Sequence, residues 1–261
     1  MVINSLSVIS PSRPGARQQE FLQRMIKHVR EQTIFEEIDL EVLICLDFDD
    51  RLDFLIDDPC VRVINSDGKS QAKALNVGLR SAEKRYIAFC EDDDFWHPQY
   101  LETYRQVLSS RDFAFLSSNQ CEIDLVGNVI RINDFPTPST WLFNRQIVDQ
   151  KFMFDETYKW HLDNEFLGQI NSYGLKRGHL IDAPAFNGHG QISHGRDAIS
   201  SLVRQSWGLA VPVKHNFSGP LVFRQVHANS GMAQIDNDEL AKNVSLAEFA
   251  KLQKTYGVIP K

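Results

Sequence analysis

Residues 86–98 read Y-I-A-F-C-E-D-D-D-F-W-H-P. The first five, Tyr86 through Cys90, make a short and mostly apolar run of the length of a buried strand. Glu91, Asp92, Asp93 and Asp94 follow without a break, then two aromatics, a histidine and a proline. Four adjacent carboxylates at the end of a buried strand repel one another and lose hydration. A fold keeps them where a cation, or a ligand carrying one, offsets the repulsion. Hard divalent ions such as Mg²⁺ or Mn²⁺ prefer carboxylate oxygens and share their shell with substrate phosphates. The stretch reads as a knot for a metal and a diphosphate. The alternative is a solvated acidic turn, and the chain around it has to decide.

On the N-terminal side, strand and helix signals alternate. Residues 6–9 are apolar and end in a run of turn formers, Ser10-Pro11-Ser12-Arg13-Pro14-Gly15. Phe21, Leu22, Met25, Ile26 and Val29 recur on one helical face. Residues 40–46 (L-E-V-L-I-C-L) read as a buried strand that again ends in acids, Asp47, Asp49 and Asp50. Residues 61–64 give a third strand, and Ala72, Leu75, Leu79 and Ala82 predict a helix over 69–82. This alternation predicts a parallel α/β sheet that binds ligands outside the carboxyl ends of its strands. No G-x-G-x-x-G or G-x-x-x-x-G-K-[ST] run is present, which argues against the dinucleotide and P-loop classes.

Beyond the knot, Tyr100, Leu101, Tyr104, Val107 and Leu108 continue as an amphipathic helix, and residues 113–117 as a strand. Val126-Gly127-Asn128 between alternating apolar residues signals a hairpin over 121–132. A helix is expected over 162–173, with Gly174 as its stop, and a strand over 221–226. A closing helix over 236–256 is expected to bury Leu240, Val244, Ala247 and Leu252. Residues 187–195, with His189 and His194, form a Gly-rich loop that reads either as a lid or as exposed chain.

The bulk numbers fit one large domain or two small ones. The chain has 261 residues, 43% hydrophobic and 24% charged, with a formal net charge of −6 that argues against a broad nucleic-acid or anionic-membrane surface. Cys45, Cys60, Cys90 and Cys121 show no C-x-x-C pair, so buried free thiols in a reducing compartment are expected. No run reaches the length of a membrane span. A cytoplasmic protein is expected, with peripheral membrane attachment left open.

Together these stretches resemble the family 2 glycosyltransferases, which have the nucleotide-sugar-binding GT-A fold. The family's opening strand and loop are similar to Ser7-Val8-Ile9-Ser10-Pro11-Ser12-Arg13-Pro14, and its second strand to Leu43-Ile44-Cys45-Leu46-Asp47. Its Gly-Lys-x-x-Ala-Leu-Asn-x-Gly-Leu helix resembles Lys73-Ala74-Leu75-Asn76-Val77-Gly78-Leu79, with Gly68 and Lys69 just upstream. Its Tyr-Ile-x-Phe-Leu-Asp-x-Asp-Asp motif resembles residues 86–94. Met153-Phe154-Asp155-Glu156, Leu162-Asp163-Asn164-Glu165 and Phe223-Arg224-Gln225-Val226-His227 are similar to later family segments. The chain departs from the pattern at Glu91, where the family has Asp, and at Leu162, where the family has the Glu of its catalytic pair.

The resemblance implies a single α/β domain with a mostly parallel central sheet flanked by helices. Residues 1–110 would be the nucleotide-sugar half, and residues 111–261 the acceptor half that carries the catalytic base. It implies a metal-dependent, inverting transfer of sugar from a nucleotide diphosphate sugar to a carbohydrate or glycoconjugate acceptor, with Mn²⁺ or Mg²⁺ as cofactor and no nucleic-acid partner. Asp93 is the implied principal metal ligand, with Asp94 sharing the shell and His227 as a third ligand. Glu91 would act through water or on the ribose. The metal frame stays open between Glu91-x-Asp93 and Asp92-x-Asp94. Ser12, Arg13, Asp47, Asp49, Lys73, Glu91 and Asp92 are expected to bind the donor, with Asp47 and Asp49 as alternatives for the base and ribose. Asp163 is the expected general base, and Glu165 replaces it if the register slips; read without the resemblance, Asp163 is a helix cap. Trp96, Trp141 and Trp160 are either acceptor-stacking or core residues. Two other classes share the layout: a sugar-phosphate nucleotidyltransferase, and a non-catalytic carbohydrate- or cation-binding module.

Overall fold

A computed structural model describes residues 3–47, 52, 54, 58–66, 68–133, 135–149, 152–182, 209–213, 217, 219–228 and 230–257. Asp49 and the 187–195 loop with His189 and His194 lie outside the described residues. The first half runs β1 (Ser5–Ser12), α1 (Gln18–Arg30), β2 (Asp39–Leu46), β3 (Val61–Asn65), α2 (Gln71–Ser81), β4 (Tyr86–Phe89), β5 (Phe95–Trp96) and α3 (Tyr100–Ser110). The chain continues through β6 (Phe115–Ser118), β7 (Gln120–Ile123), β8 (Val129–Asn133), β9 (Leu142–Asn144) and α4 (Gln146–Asp149). After these come α5 (Leu162–Ser172), β10 (Arg177–Asp182), β11 (Leu209–Val213), β12 (Val222–Gln225), α6 (Gly231–Asn237) and α7 (Glu239–Tyr256).

Among the described residues, eight strands form one sheet in the order β11-β10-β6-β9-β4-β1-β2-β3. Every neighbouring pair is parallel except those of β9, which runs antiparallel between β4 and β6. A smaller sheet, β5-β12-β7-β8, stands beside it. The hairpin between β7 and β8 turns at Gly127, φ 91°, a left-handed conformation that suits glycine. Asp124 Oδ1 accepts from the Val126 and Asn128 amides across that turn.

The central strands are apolar on both faces because helices cover both, as parallel sheets require. Tyr86, Ala88 and Cys90 pack with Leu22, Met25 and Ile26 of α1 and Tyr100, Leu101 and Tyr104 of α3. Ile87 and Phe89 face the other way, into a cluster with Leu75 and Leu79 of α2 and Phe166 and Ile170 of α5. Trp96 and Trp141 are fully buried, which settles them as core residues. Cys45, Cys90 and Cys121 are buried free thiols, and Cys60 is half-buried.

Helix α2 lies tight on the sheet at Gly78. A Cβ built there would sit 2.5 Å from Ile9 Cγ2 and 2.8 Å from Cys45 Sγ. Helix propensity alone favours Ala over Gly by about 1 kcal/mol, but overpacking costs about 1–3 kcal/mol. The net cost of up to about 2 kcal/mol means Gly78→Ala is expected to lower the thermal midpoint by up to about 8 °C, at 2–4 °C per kcal/mol, as followed by circular dichroism. A raised midpoint would show that the helix can move off the sheet freely.

The C-terminal helix departs from expectation. It starts after Asp238, whose side chain accepts from the Leu240 and Ala241 amides, and a separate short helix, α6, precedes it. Its buried stripe is Ala241, Ser245, Glu248, Phe249 and Leu252, while Leu240 and Val244 are exposed. Of the expected apolar pattern Leu252 is buried, while the rest of the seat is set partly by polar contacts from Ser245 and Glu248.

Candidate active site

Among the described residues, a cavity of about 580 Å³ opens at the carboxyl ends of β1, β2 and β4, a size that suits a small-molecule ligand. The strand order changes direction at β1: the chain runs outward to β2 and β3, then returns to place β4 on the other side. Loops diverge at such a switch point and leave a crevice. The N-terminus of α2, the 156–163 segment, the end of β12 and the start of α6 close the remaining walls.

The acidic knot sits on the cavity floor. Glu91, Asp93 and Asp94 each offer a carboxylate oxygen, and these oxygens all lie within 4.8 Å of one another. Asp92 points elsewhere, accepting from Ser12 Oγ at 2.6 Å. Asp94 is buried, with one oxygen taking Ser139 Oγ (2.6 Å) and the other the Gln225 amide (3.0 Å). Ser139 Oγ also accepts from the Glu91 amide, at 3.0 Å. Asp93 Oδ2 lies 2.8 Å from His227 Nε2, and the Asp93 carbonyl accepts from Arg24 Nη2 at 2.6 Å.

These contacts hold like charges together. Burial and the neighbouring Asp93 push Glu91 up to about 7 and Asp92 up to about 8, and raise Asp94 well above the usual carboxylate range. Arg224 lies against the knot and donates to Glu122 Oε1 at 3.0 Å. Burial disfavours its charge, but Asp94, Glu122, Glu91 and Asp93 outweigh that cost and raise its pKa. An all-oxygen donor set that holds its protons unusually tightly is short of positive charge. Such a set fits Mg²⁺ or Mn²⁺ better than a softer metal.

At the ends of β1 and β2, Ser12, Arg13 and Asp47 all line the cavity. Burial raises the Asp47 pKa, and Arg13 and Lys69 partly counter it. Gln71 Nε2 donates to Glu91 Oε1 at 2.6 Å. Lys73 is not part of the wall; its side chain folds over Gly68, where an added Cβ would meet Nζ at 2.7 Å. Lys69, one turn earlier, faces the cavity instead. His227 is not among the residues lining the cavity; its Nε2 meets the Asp93 carboxylate.

Asp163 also lines the cavity, in the first turn of α5 and near enough to Glu91 for its charge to help raise that residue's pKa. His161 occupies the N-cap position, so Asp163 is not the cap; its Oδ1 accepts from the Asn164 amide at 2.8 Å. Burial raises its pKa above the usual carboxylate value. Glu165 is turned away from the cavity, bonded to Gln169 Nε2 and the Tyr256 hydroxyl. Trp160 belongs to the wall. Glu156 also lines it and accepts from Asn76 Nδ2 at 3.1 Å.

Several supporting residues escaped the sequence reading. Ser139, Arg24 and Gln71 carry no local motif; each matters only because a distant segment folds against it. Arg224 stood within a quoted motif, but its role as the knot's counter-charge depends on β12 pairing with β7 and β5.

Residues 7–151 match the family model described as Glycosyl transferase family 2. A hyaluronan synthase from Pasteurella multocida is 24% identical over 178 residues, covering 65% of this chain and 18% of that protein. The chain therefore spans less than a fifth of the curated relative it matches. Among solved structures, S. aureus TarS 1-349 in complex with UDP is similar at a TM-score of 0.55 and 13% identity, covering 95% of this chain and 71% of that one. S. aureus TarS is similar at 0.54 and 13% identity, with coverage of 97% and 44%. At this identity the likeness establishes the fold alone, the GT-A arrangement.

Proposed function

Because this chain belongs to glycosyl transferase family 2, we propose that it transfers a sugar, with inversion, from a nucleotide diphosphate sugar to a carbohydrate or glycoconjugate hydroxyl. The observation that carries this reading is one cavity lined both by the Glu91–Asp93–Asp94 oxygen cluster and by the Asp163 carboxylate. UDP in one of the similar solved structures directs the choice of nucleotide to uridine.

Residues 1–110 supply most of the donor side. Asp47, with Asp49 beyond it, accepts from the base and ribose. Ser12 and Asp92 act as a hydrogen-bonded pair beside the nucleotide, and Arg13 and Lys69 offer positive charge to the donor phosphates. Glu91 and Asp93 are the metal frame, with Asp94 behind them and His227 orienting Asp93; Mn²⁺ or Mg²⁺ bound there offsets the charge that develops on the leaving diphosphate. Residues 111–261 supply the acceptor side. Asp163 takes the proton from the acceptor hydroxyl as that oxygen attacks the anomeric carbon. The free thiols fit a reducing, cytoplasmic compartment.

A thermal-shift series with UDP, GDP, ADP and CDP, each with and without Mn²⁺, tests the reading. UDP with Mn²⁺ at about one hundred times its Kd should add about 2.7 kcal/mol of stability, a rise of about 5–10 °C in a chain of this size. The other nucleotides, and UDP without metal, should do much less. Equal behaviour of all of them would refute the donor assignment, and pyrophosphate as product would indicate nucleotidyl transfer instead.

A further inference from the structure

The C-terminal helix reaches the cavity wall through one carboxylate. Glu248 accepts three consecutive backbone N–H groups: Lys159 at 2.6 Å, Trp160 at 2.9 Å and His161 at 3.2 Å. These three residues immediately precede α5, and Lys159 and Trp160 line the cavity that Asp163 faces. Neighbouring contacts strengthen the attachment. Ser245 Oγ lies 2.9 Å from His161 Nε2, and Lys251 Nζ donates to Thr157 Oγ1 at 3.1 Å while covering the Tyr158 ring at 4.1 Å. At the far end the Tyr256 hydroxyl donates to Glu165 Oε1 at 2.9 Å.

We propose that Glu248 is a positioning residue for the transfer reaction, holding the 159–161 backbone so that the acceptor wall and Asp163 keep their places. The inference rests on the glycosyltransferase reading above. Three parallel amides converging on one buried carboxylate make charge-assisted bonds, which are stronger than neutral ones. The anion also stands at the positive end of α5, where helix dipoles favour negative charge. The acids in and beside residues 156–163 are engaged elsewhere: Asp155 accepts from the Thr157 amide, Glu156 from Asn76 Nδ2, and Asp163 from the Asn164 amide. The same requirement explains why α7 seats a polar stripe, Ser245 and Glu248, in place of its apolar neighbours.

The full chain is compared as wild type, Glu248→Gln and Glu248→Asp. Gln leaves one acceptor oxygen and turns an NH₂ group toward backbone donors. Three readouts are taken: deuterium uptake of the peptide covering 156–163, Kd for UDP in Mn²⁺, and UDP release from a panel of UDP-sugars with a carbohydrate acceptor. Glu248→Gln should exchange faster in 156–163 and bind UDP within about twofold of wild type. Its kcat should fall about ten- to a hundredfold, the size expected for displaced catalytic groups. Glu248→Asp, which keeps the charge on a shorter arm, should recover part of that rate. Unchanged exchange, unchanged kcat, or UDP affinity lost in step with kcat would each overturn the positioning role. Wild type that releases no UDP from any sugar would refute the parent reading, a result distinct from a failure of Glu248 alone.

Discussion

Asp163→Asn should reduce turnover by about a hundred- to ten-thousandfold, the contribution of a positioned general base, while leaving the UDP and Mn²⁺ thermal shift intact. The separation follows from the geometry. Asp163 sits in the first turn of α5, and among the described residues that helix makes none of the knot's hydrogen bonds. Asn is isosteric and can still accept the Asn164 amide, so the α5 turn survives. The pH profile adds a second check. Burial raises the Asp163 pKa, so its proton stays on to higher pH, and the basic form grows as pH rises through that raised value. At saturating Mn²⁺, kcat should therefore climb with pH on an acid limb that lies above the ordinary carboxylate range, and the residual rate of Asp163→Asn should lack that limb. Turnover equal to wild type would remove Asp163 from the chemistry.

The second large effect concerns Asp93. Asp93→Asn should abolish the Mn²⁺-dependent part of the UDP shift and lower turnover about a thousandfold, since several kcal/mol of charge stabilisation depend on the metal and each 1.36 kcal/mol is tenfold. The ligand-free protein should melt at the wild-type temperature or above it. Asp93 is the like charge that helps push Glu91, Asp92 and Asp94 upward, and Asn removes that repulsion. The Asp93 carbonyl keeps its bond from Arg24, because that contact is to the main chain. Stability gained where function is lost is the signature of a site kept under strain for a ligand. A lowered melting point with metal-dependent UDP binding retained would assign Asp93 to the fold instead.

Much of this was legible in the sequence, and the reason is local. Strands β1, β2 and β4 are short, mostly apolar runs that end in polar residues, so both their burial and their ligand-facing ends can be read directly. Gly174 was readable for a similar reason: it takes φ 65° just past α5, and its amide bonds the Asn171 carbonyl. The acidic run could be located but not divided. Which acid points to the cavity depends on Ser12 drawing Asp92 aside and on Ser139 and the Gln225 amide burying Asp94. Those partners lie up to 131 residues away. Lys73 and Lys69 show the same limit, since both fit a phosphate-facing helix start, and only the fold over Gly68 separates them. The face of α7 was legible only at Leu252, because its docking also uses one glutamate and a serine, residues that hydrophobic spacing ignores.

Strand β9 gives the sheet an unusual assembly order. It is only three residues long, yet it alone joins β4 to β6 and so connects the strands of the first half to β6, β10 and β11. During synthesis, β1 through β4 can pair as soon as residue 89 emerges, but the outer edge of β4 stays open until residues 142–144 arrive. An open apolar edge is a template for pairing with another chain, and such intermediates aggregate. A chain cut at residue 110 would therefore lack β9 and end with an unsatisfied edge at the middle of its sheet. Residue 110 does not mark where the polypeptide can be separated.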